Sequence, residues 1–190
     1  MENDTAARVH AEHPPVDLHA DSLMWSSWLG YDLLKRRREP PLPFAAYGGH
    51  VDVPRMQDGG MCAQFFGLVS LPVMGRQRGM ARIVDAQIDE LQSAITRSQG
   101  TLFLARTAED MLLAQREKKV AAYLGIEGAH ALDGSIDQLT HFAKRGVRYL
   151  GLLHFTKNEA GFPAYGRGRR DDEGLTAFGN ETYRPATPTT

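Results

Sequence analysis

The chain is poor in the features that would place it in a specialised class. It has one cysteine, Cys62, in 190 residues, so no intramolecular disulfide can staple it, and a lone thiol suits a reducing compartment. Met61, Ala63 and Phe65 give that cysteine a strand-like apolar setting with no histidine close in sequence, so it reads as a buried small hydrophobe and not as a nucleophile. No segment approaches the roughly 18 consecutive apolar residues of a membrane span. The opening Met1-Glu2-Asn3-Asp4-Thr5 lacks the apolar centre of a signal peptide. Cytoplasmic residence without a membrane span is the expectation. Neither sign of charge is in excess: 22 Lys and Arg stand against 23 Asp and Glu, a net charge of −1, which speaks against a nucleic-acid partner. The basic run Lys35-Arg36-Arg37-Arg38 is short, is followed by Glu39, and reads as a solvated helix end. Arg167 to Arg170 is offset by Asp171-Asp172-Glu173. Repeats and low-complexity tracts are absent from the body of the chain.

What is present is an ordinary globular composition, 42% hydrophobic, enough for one sizeable core. Strand and helix signals alternate along it. A strand is expected over 15–21, a helix over 22–37, a Pro- and Gly-punctuated connection through Pro54, and a strand over 61–70. From 81 to 98, Ile83, Val84, Ile88, Leu91 and Ile95 fall at helical spacing between charged residues, and Gly100 ends the helix. A short strand over 101–105 follows, then a helix capped by Thr107 with Glu109 and Asp110 in its first turn, then a strand over 120–126. Asp133 or Ser135 starts a helix presenting Ile136, Leu139 and Phe142, which Gly146 ends before a strand over 147–153. This βαβαβ order implies an α/β fold with a parallel sheet and right-handed crossovers.

Chemistry concentrates where apolar runs stop. Val16-Asp17-Leu18-His19-Ala20-Asp21 places an imidazole and a carboxylate two residues apart, hence on one face of a strand. Imidazole nitrogen and carboxylate oxygen are ligands that zinc accepts. The run from Val120 ends at Glu127-Gly128-Ala129-His130, and the run from Arg148 ends at His154. Active-site residues at the C-terminal ends of several strands are the pattern of a (β/α)8 TIM-barrel enzyme.

Taken in order, Asp17-Leu18-His19-Ala20-Asp21, the Gly-rich Asp58-Gly59-Gly60 leading to Gln64-Phe65, Gly125-Ile126-Glu127-Gly128-Ala129-His130, Gly146 to Leu150 running into Leu153-His154 with Asn158, and Gly174-Leu175-Thr176-Ala177-Phe178-Gly179 resemble the membrane dipeptidase (renal dipeptidase) family of zinc metallopeptidases. The resemblance spans about residues 14–179.

That resemblance implies a TIM-type barrel, of which the four or five strands counted here would be the first half, since such barrels typically take about 250 residues. It implies hydrolysis of the peptide bond of dipeptides through a metal-activated hydroxide. Two zinc ions would be bridged by Glu127, with His19 and Asp21 on one and two later histidines on the other; one ion would be well held by the residues present here. His154 would face the substrate and steady the developing oxyanion. Asp17 and His130 would support the ligands, and His10, His13, His50 and His141 have no ligand-like pairing. Residues 1–179 are expected to form the barrel portion, and 180–190, with Pro185 and Pro188, a disordered or aberrant tail such as a frameshift would leave. The expected partners are a dipeptide substrate and either a second copy of the chain or another chain that completes the barrel. The alternative from another class is a non-catalytic, metal-binding remnant or partner domain of the same fold; another metal-dependent hydrolase on this barrel is a third reading, weakened by the Glu127 motif and by Asp21 in place of a second histidine.

Overall fold

The computed structural model describes residues 2–37, 49–72, 78–166, 168, 170 and 173–183. These form seven helices and five strands: α1 (Glu2–Glu12), β1 (Val16–Ala20), α2 (Ser22–Leu29), α3 (Val53–Asp58), β2 (Ala63–Val69), α4 (Met80–Arg97), β3 (Leu102–Leu104), α5 (Ala108–Glu117), β4 (Val120–Glu127), α6 (Ile136–Arg145), β5 (Val147–Gly151) and α7 (Ala177–Tyr183). A single 3-10 turn, Ala129–Leu132, follows β4. The strands join in a five-stranded parallel sheet in which β1, β2, β4 and β3 are successive neighbours and β5 pairs with β4. The chain divides into two compact units, residues 1–68 with 86–125 and residues 69–85 with 126–190.

In the first unit β1 lies parallel to β2, with Val16 opposite Ala63 and Asp17 opposite Gln64. The Cys62 carbonyl accepts from Ala121 N at 2.9 Å, which brings β2 directly beside β4. The three residues of β3 pair only with the start of β4, Leu102 opposite Val120 through Leu104 opposite Ala122. The third strand in the chain is therefore a lateral addition and does not lie between β2 and β4. Seven of the eight residues of β4 are buried, as a strand covered on both faces must be. Around its start, Cys62, Ala63, Ala105, Ala114, Ala121 and Tyr123 form a buried cluster joined by Val16, Phe65, Phe103 and Met111. The Phe65 and Tyr123 rings stack at 4.5 Å, an arrangement worth about 0.5–1.5 kcal/mol beyond the area buried. Burial raises the Cys62 thiol pKa, consistent with a packing role.

Local chemistry moves two boundaries from their expected places. The helix expected to reach residue 37 stops at Leu29, because Gly30 adopts φ 65° and its N–H returns to the Ser26 carbonyl while Tyr31 N reaches Trp25 O. Lys35 to Arg37 consequently lie beyond the helix and are not its solvated end. Arg36 pairs with Asp58, and Arg37 N donates to Asp52 Oδ2 at 3.1 Å. Arg38 lies outside the described residues, as do 39–48 of the punctuated connection. Within the rest of that connection, Asp52 caps α3: its carboxylate accepts from Arg55 N at 2.9 Å and from Arg55 Nε at 2.6 Å, with Pro54 in the first turn where its missing N–H costs nothing. The other elements follow the expected pattern. Val84, Ile88, Leu91 and Ala94 are the buried stripe of α4, and α5 starts with a full capping box between Thr107 and Asp110.

In the second unit the end of β4 runs beside β5, Gly128 N donating to Gly151 O at 2.9 Å and Ala129 N to Leu152 O at 3.0 Å. Gly146, at φ 109°, ends α6 and turns the chain into β5. Asp133, expected as a possible start of α6, instead caps α4: its two carboxylate oxygens accept from Met80 N and Ala81 N at 3.0 and 3.1 Å. The Gly174–Gly179 motif also has a structural reading. Thr176 Oγ1 accepts from Gly179 N at 3.1 Å at the start of α7, and a Cβ on Gly179 would lie 2.0 Å from the Ala160 carbonyl oxygen. Helix α7 continues to Tyr183; residues 184–190, including Pro185 and Pro188, lie outside the described residues, as do Arg167, Arg169, Asp171 and Asp172. Arg170 pairs with Glu173 at 2.9 Å.

Candidate metal centre

The end of β1 carries the first pair of candidate ligands. His19 Nε2 lies 3.2 Å from Asp21 Oδ1, yet that buried oxygen accepts no hydrogen bond from any described group. The spacing has an independent meaning. Two ligand atoms each about 2.0–2.1 Å from a tetrahedral ion stand roughly 3.3 Å apart. A buried carboxylate oxygen left without a donor costs about 1–3 kcal/mol or more, and a cation is the group that would satisfy it. The donor chemistry and this orphaned oxygen fit a divalent metal. Asp17 does not join them: its Oδ1 accepts from His19 N at 2.9 Å, which stiffens the strand end that carries the imidazole.

The second pair stands at the ends of β4 and β5. His154 Nε2 lies 3.3 Å from Glu127 Oε1, with 13% and 25% of their side chains exposed, so both can meet a molecule from solvent. Phe155 packs its ring 4.1 Å from the His154 imidazole and is itself 58% exposed. The loop that follows is tied down by Asn158, whose Nδ2 donates to Leu152 O at 2.9 Å and whose Oδ1 accepts from Ala160 N at 2.8 Å.

His130 supports this second pair without joining it. Its imidazole is 2% exposed, and its Nε2 is hydrogen-bonded to the Ser70 carbonyl at the end of β2. A carbonyl can only accept, so Nε2 carries the proton and Nδ1, buried without a partner, is bare. Burial chiefly, and the nearby His154, lower the His130 pKa; the Ser70 carbonyl and Asp133 act the other way. Gly128 makes this possible, since at φ 97° any Cβ would lie 2.3 Å from His130 Cε1. Gly-x-Glu-Gly-x-His is thus a turn in which Gly128 leaves room for the histidine that anchors the residues after Glu127. Ser70 carries no sequence signal here, since its contribution is a backbone acceptor, and Asp133 reads from sequence only as a possible helix start.

The remaining histidines that show contacts are engaged elsewhere. His10 Nδ1 lies 3.2 Å from Gly59 O. His141, on the exposed side of α6 as expected, reaches Asp85 at 2.9 Å, and Arg145 joins the same carboxylate at 2.8 Å.

A model of the membrane dipeptidase family, peptidase family M19, matches residues 3–186. The chain belongs to this family. Among relatives of the membrane dipeptidases, Dipeptidase 3 from Homo sapiens is 35% identical over 104 residues, covering 55% of this chain and 20% of that protein. A metallopeptidase from Rhodobacter sphaeroides, solved with a phosphinate mimic of the dipeptide L-Ala-D-Ala, superposes with TM-score 0.63 at 23% identity, covering 88% of this chain and 54% of that one. An amidohydrolase from Pseudomonas aeruginosa gives TM-score 0.66 at 22% identity, covering 93% of this chain and 44% of that one. The fold is the α/β TIM-barrel type of the M19 dipeptidases. The chain spans about half the length of these solved structures and about a third or less of the curated relatives it matches. No helix among the described residues is long and apolar enough to cross a membrane.

Proposed function

We propose that the chain is the ligand-bearing N-terminal portion of a zinc metallodipeptidase, with His19, Asp21 and Glu127 as metal ligands and His154 as the substrate-facing residue. The observation that carries this is the His19–Asp21 pair, whose Nε2 and Oδ1 stand 3.2 Å apart as two ligand atoms of one ion would, with that oxygen buried and accepting no hydrogen bond. Membership of a peptidase family supports the reaction class. The dipeptide mimic held by the Rhodobacter sphaeroides relative supports the substrate class.

A divalent ion in such a site supplies Lewis-acid polarisation of a carbonyl and acidifies water near neutral pH. The chain's own residues would contribute the rest. Asp21 and Glu127 bring negative charge to the cation, and Asp17 holds the strand end that carries His19. His154 would hydrogen-bond the scissile carbonyl oxygen of a dipeptide as negative charge develops there; its approach to Glu127 at 3.3 Å orients the ring between uses. His130, bonded to Ser70, keeps the turn after Glu127 from shifting when substrate enters. The family resemblance implies a second ion, which Glu127 would help to hold together with two later histidines. The alternative reading is a metal-binding role without turnover.

The test is hydrolysis of a panel of L- and D-containing dipeptides by the purified chain with zinc, beside Glu127→Gln. Zinc-dependent turnover abolished by the substitution is the expected result for a dipeptidase. Zinc binding with no turnover in a folded sample would leave the non-catalytic reading in its place.

A further inference from the structure

Strand β2 carries large side chains from Gln64 to Val69 apart from one position. In Ala63-Gln64-Phe65-Phe66-Gly67-Leu68-Val69 the residues are buried or nearly so, and Gly67 interrupts the apolar run with no positive φ to call for it. A glycine in mid-strand weakens the strand, so an isolated one points to a close approach from outside. Here the approaching groups are the candidate ligands. A Cβ at Gly67 would lie 2.1 Å from Asp21 Oδ1, 3.3 Å from Asp21 Cγ and 3.0 Å from His19 Cε1. The nearest atom is the same carboxylate oxygen that is buried and takes no hydrogen bond.

We propose that Gly67 is a positioning residue of the metal site, the absence of its side chain being what holds Asp21 Oδ1 in line with His19 Nε2. The inference rests on the metal-binding reading above and deepens it. The 2.1 Å contact falls on the end of a side chain and not on backbone, so an added methyl would displace the Asp21 carboxylate by rotating it and leave the strand in place. The imidazole would be pushed at its Cε1 edge, turning Nε2 out of register with the carboxylate. Both ligands are disturbed by one methyl group while the fold keeps its hydrogen bonds. The backbone of Gly67 has no positive φ, so alanine meets no left-handed strain there, and it makes the unfolded chain less flexible.

The experiment compares the wild-type chain, Gly67→Ala, Asp21→Ala and the double variant, with metal alone as the probe. Zinc affinity is read by titration against a chromophoric chelator, cobalt coordination by its visible absorption, and folding by circular dichroism and thermal melting of the metal-free chains. The expected result is a folded Gly67→Ala whose zinc affinity falls roughly 10–100-fold, the range seen when groups that orient metal ligands are altered, with a changed cobalt spectrum. Because the methyl acts on Asp21 first and on His19 only at its Cε1 edge, Gly67→Ala should cost much less affinity in the Asp21→Ala background than in wild type, whereas independent effects would add in full. Should Gly67→Ala melt well below wild type, removal of the carboxylate in the double variant should restore the melt, since it vacates the space the methyl needs. Equal zinc affinity in wild type and Gly67→Ala, additive losses, or a lowered melt that Asp21→Ala does not restore would each overturn the inference. Failure of wild type itself to bind zinc or cobalt would instead remove the metal-binding reading on which it stands.

Discussion

At the scale of single residues, the site is a set of side chains with few alternatives open to them. His130 is the clearest case, because its buried, singly bonded imidazole must be neutral to fit. Its folded-state pKa is lowered, so the unfolded chain binds more protons in the window between that lowered value and the ordinary histidine value of about 6.5. Stability should therefore fall as pH drops below about 6.5 and level off once pH lies below the folded-state pKa. His130→Gln keeps an N–H for the Ser70 carbonyl and cannot titrate. The difference in melting temperature between pH 7.5 and 5.5 should shrink in that variant; an undiminished difference would mean that His130 is not the group responsible. His19, Asp21, Glu127 and His154 could be picked out because each stands where an apolar run ends and each belongs to an ordered motif. Gly67 could not be, since its contribution is an empty volume. Nor could Ser70, whose contribution is a main-chain oxygen.

Among elements, those set by repeated pattern or by a cap next to a charged first turn, such as Thr107, were legible, whereas the caps at Gly30 and Asp52 were not. The stripe Val84, Ile88, Leu91 in α4 and the uninterrupted apolar run of β4 each repeat one instruction many times. Helix α2 ends at Gly30 although Tyr31, Leu33 and Leu34 continue an apolar pattern, because a left-handed glycine satisfies the helix's last carbonyls at that point. Asp52 makes a helix start of what reads as a proline-punctuated loop. Helix α1 carries few apolar residues and gave no periodic signal. The strand order was hidden for a different reason: β3 has three residues, too few to carry a register, and only the direct bond from Ala121 to Cys62 shows that β2 and β4 are neighbours. Two measurements test these elements. Thr107→Ala removes the reciprocal cap of α5 and should cost about 1 kcal/mol in chemical denaturation. Leu124→Ala, in the fully buried centre of β4, should cost about 2–5 kcal/mol; a loss under 1 kcal/mol would contradict burial of that strand on both faces.

On the scale of the whole molecule, the chain carries the barrel type of its family over about half the length of the solved relatives. Metal binding to the proposed ligands would be tied to folding, since an unfolded chain holds no preformed site. Zinc at 100 times its dissociation constant should accordingly stabilise the native state by about 2.7 kcal/mol, seen as a raised melting temperature that a chelator reverses. The most direct test of the account is calorimetric titration of zinc into the metal-free chain, His19→Ala and Glu127→Gln. Wild type should bind one ion near-stoichiometrically, and both variants should lose affinity strongly with folding retained. Binding that is absent from a folded wild-type sample, or unchanged in either variant, would contradict it.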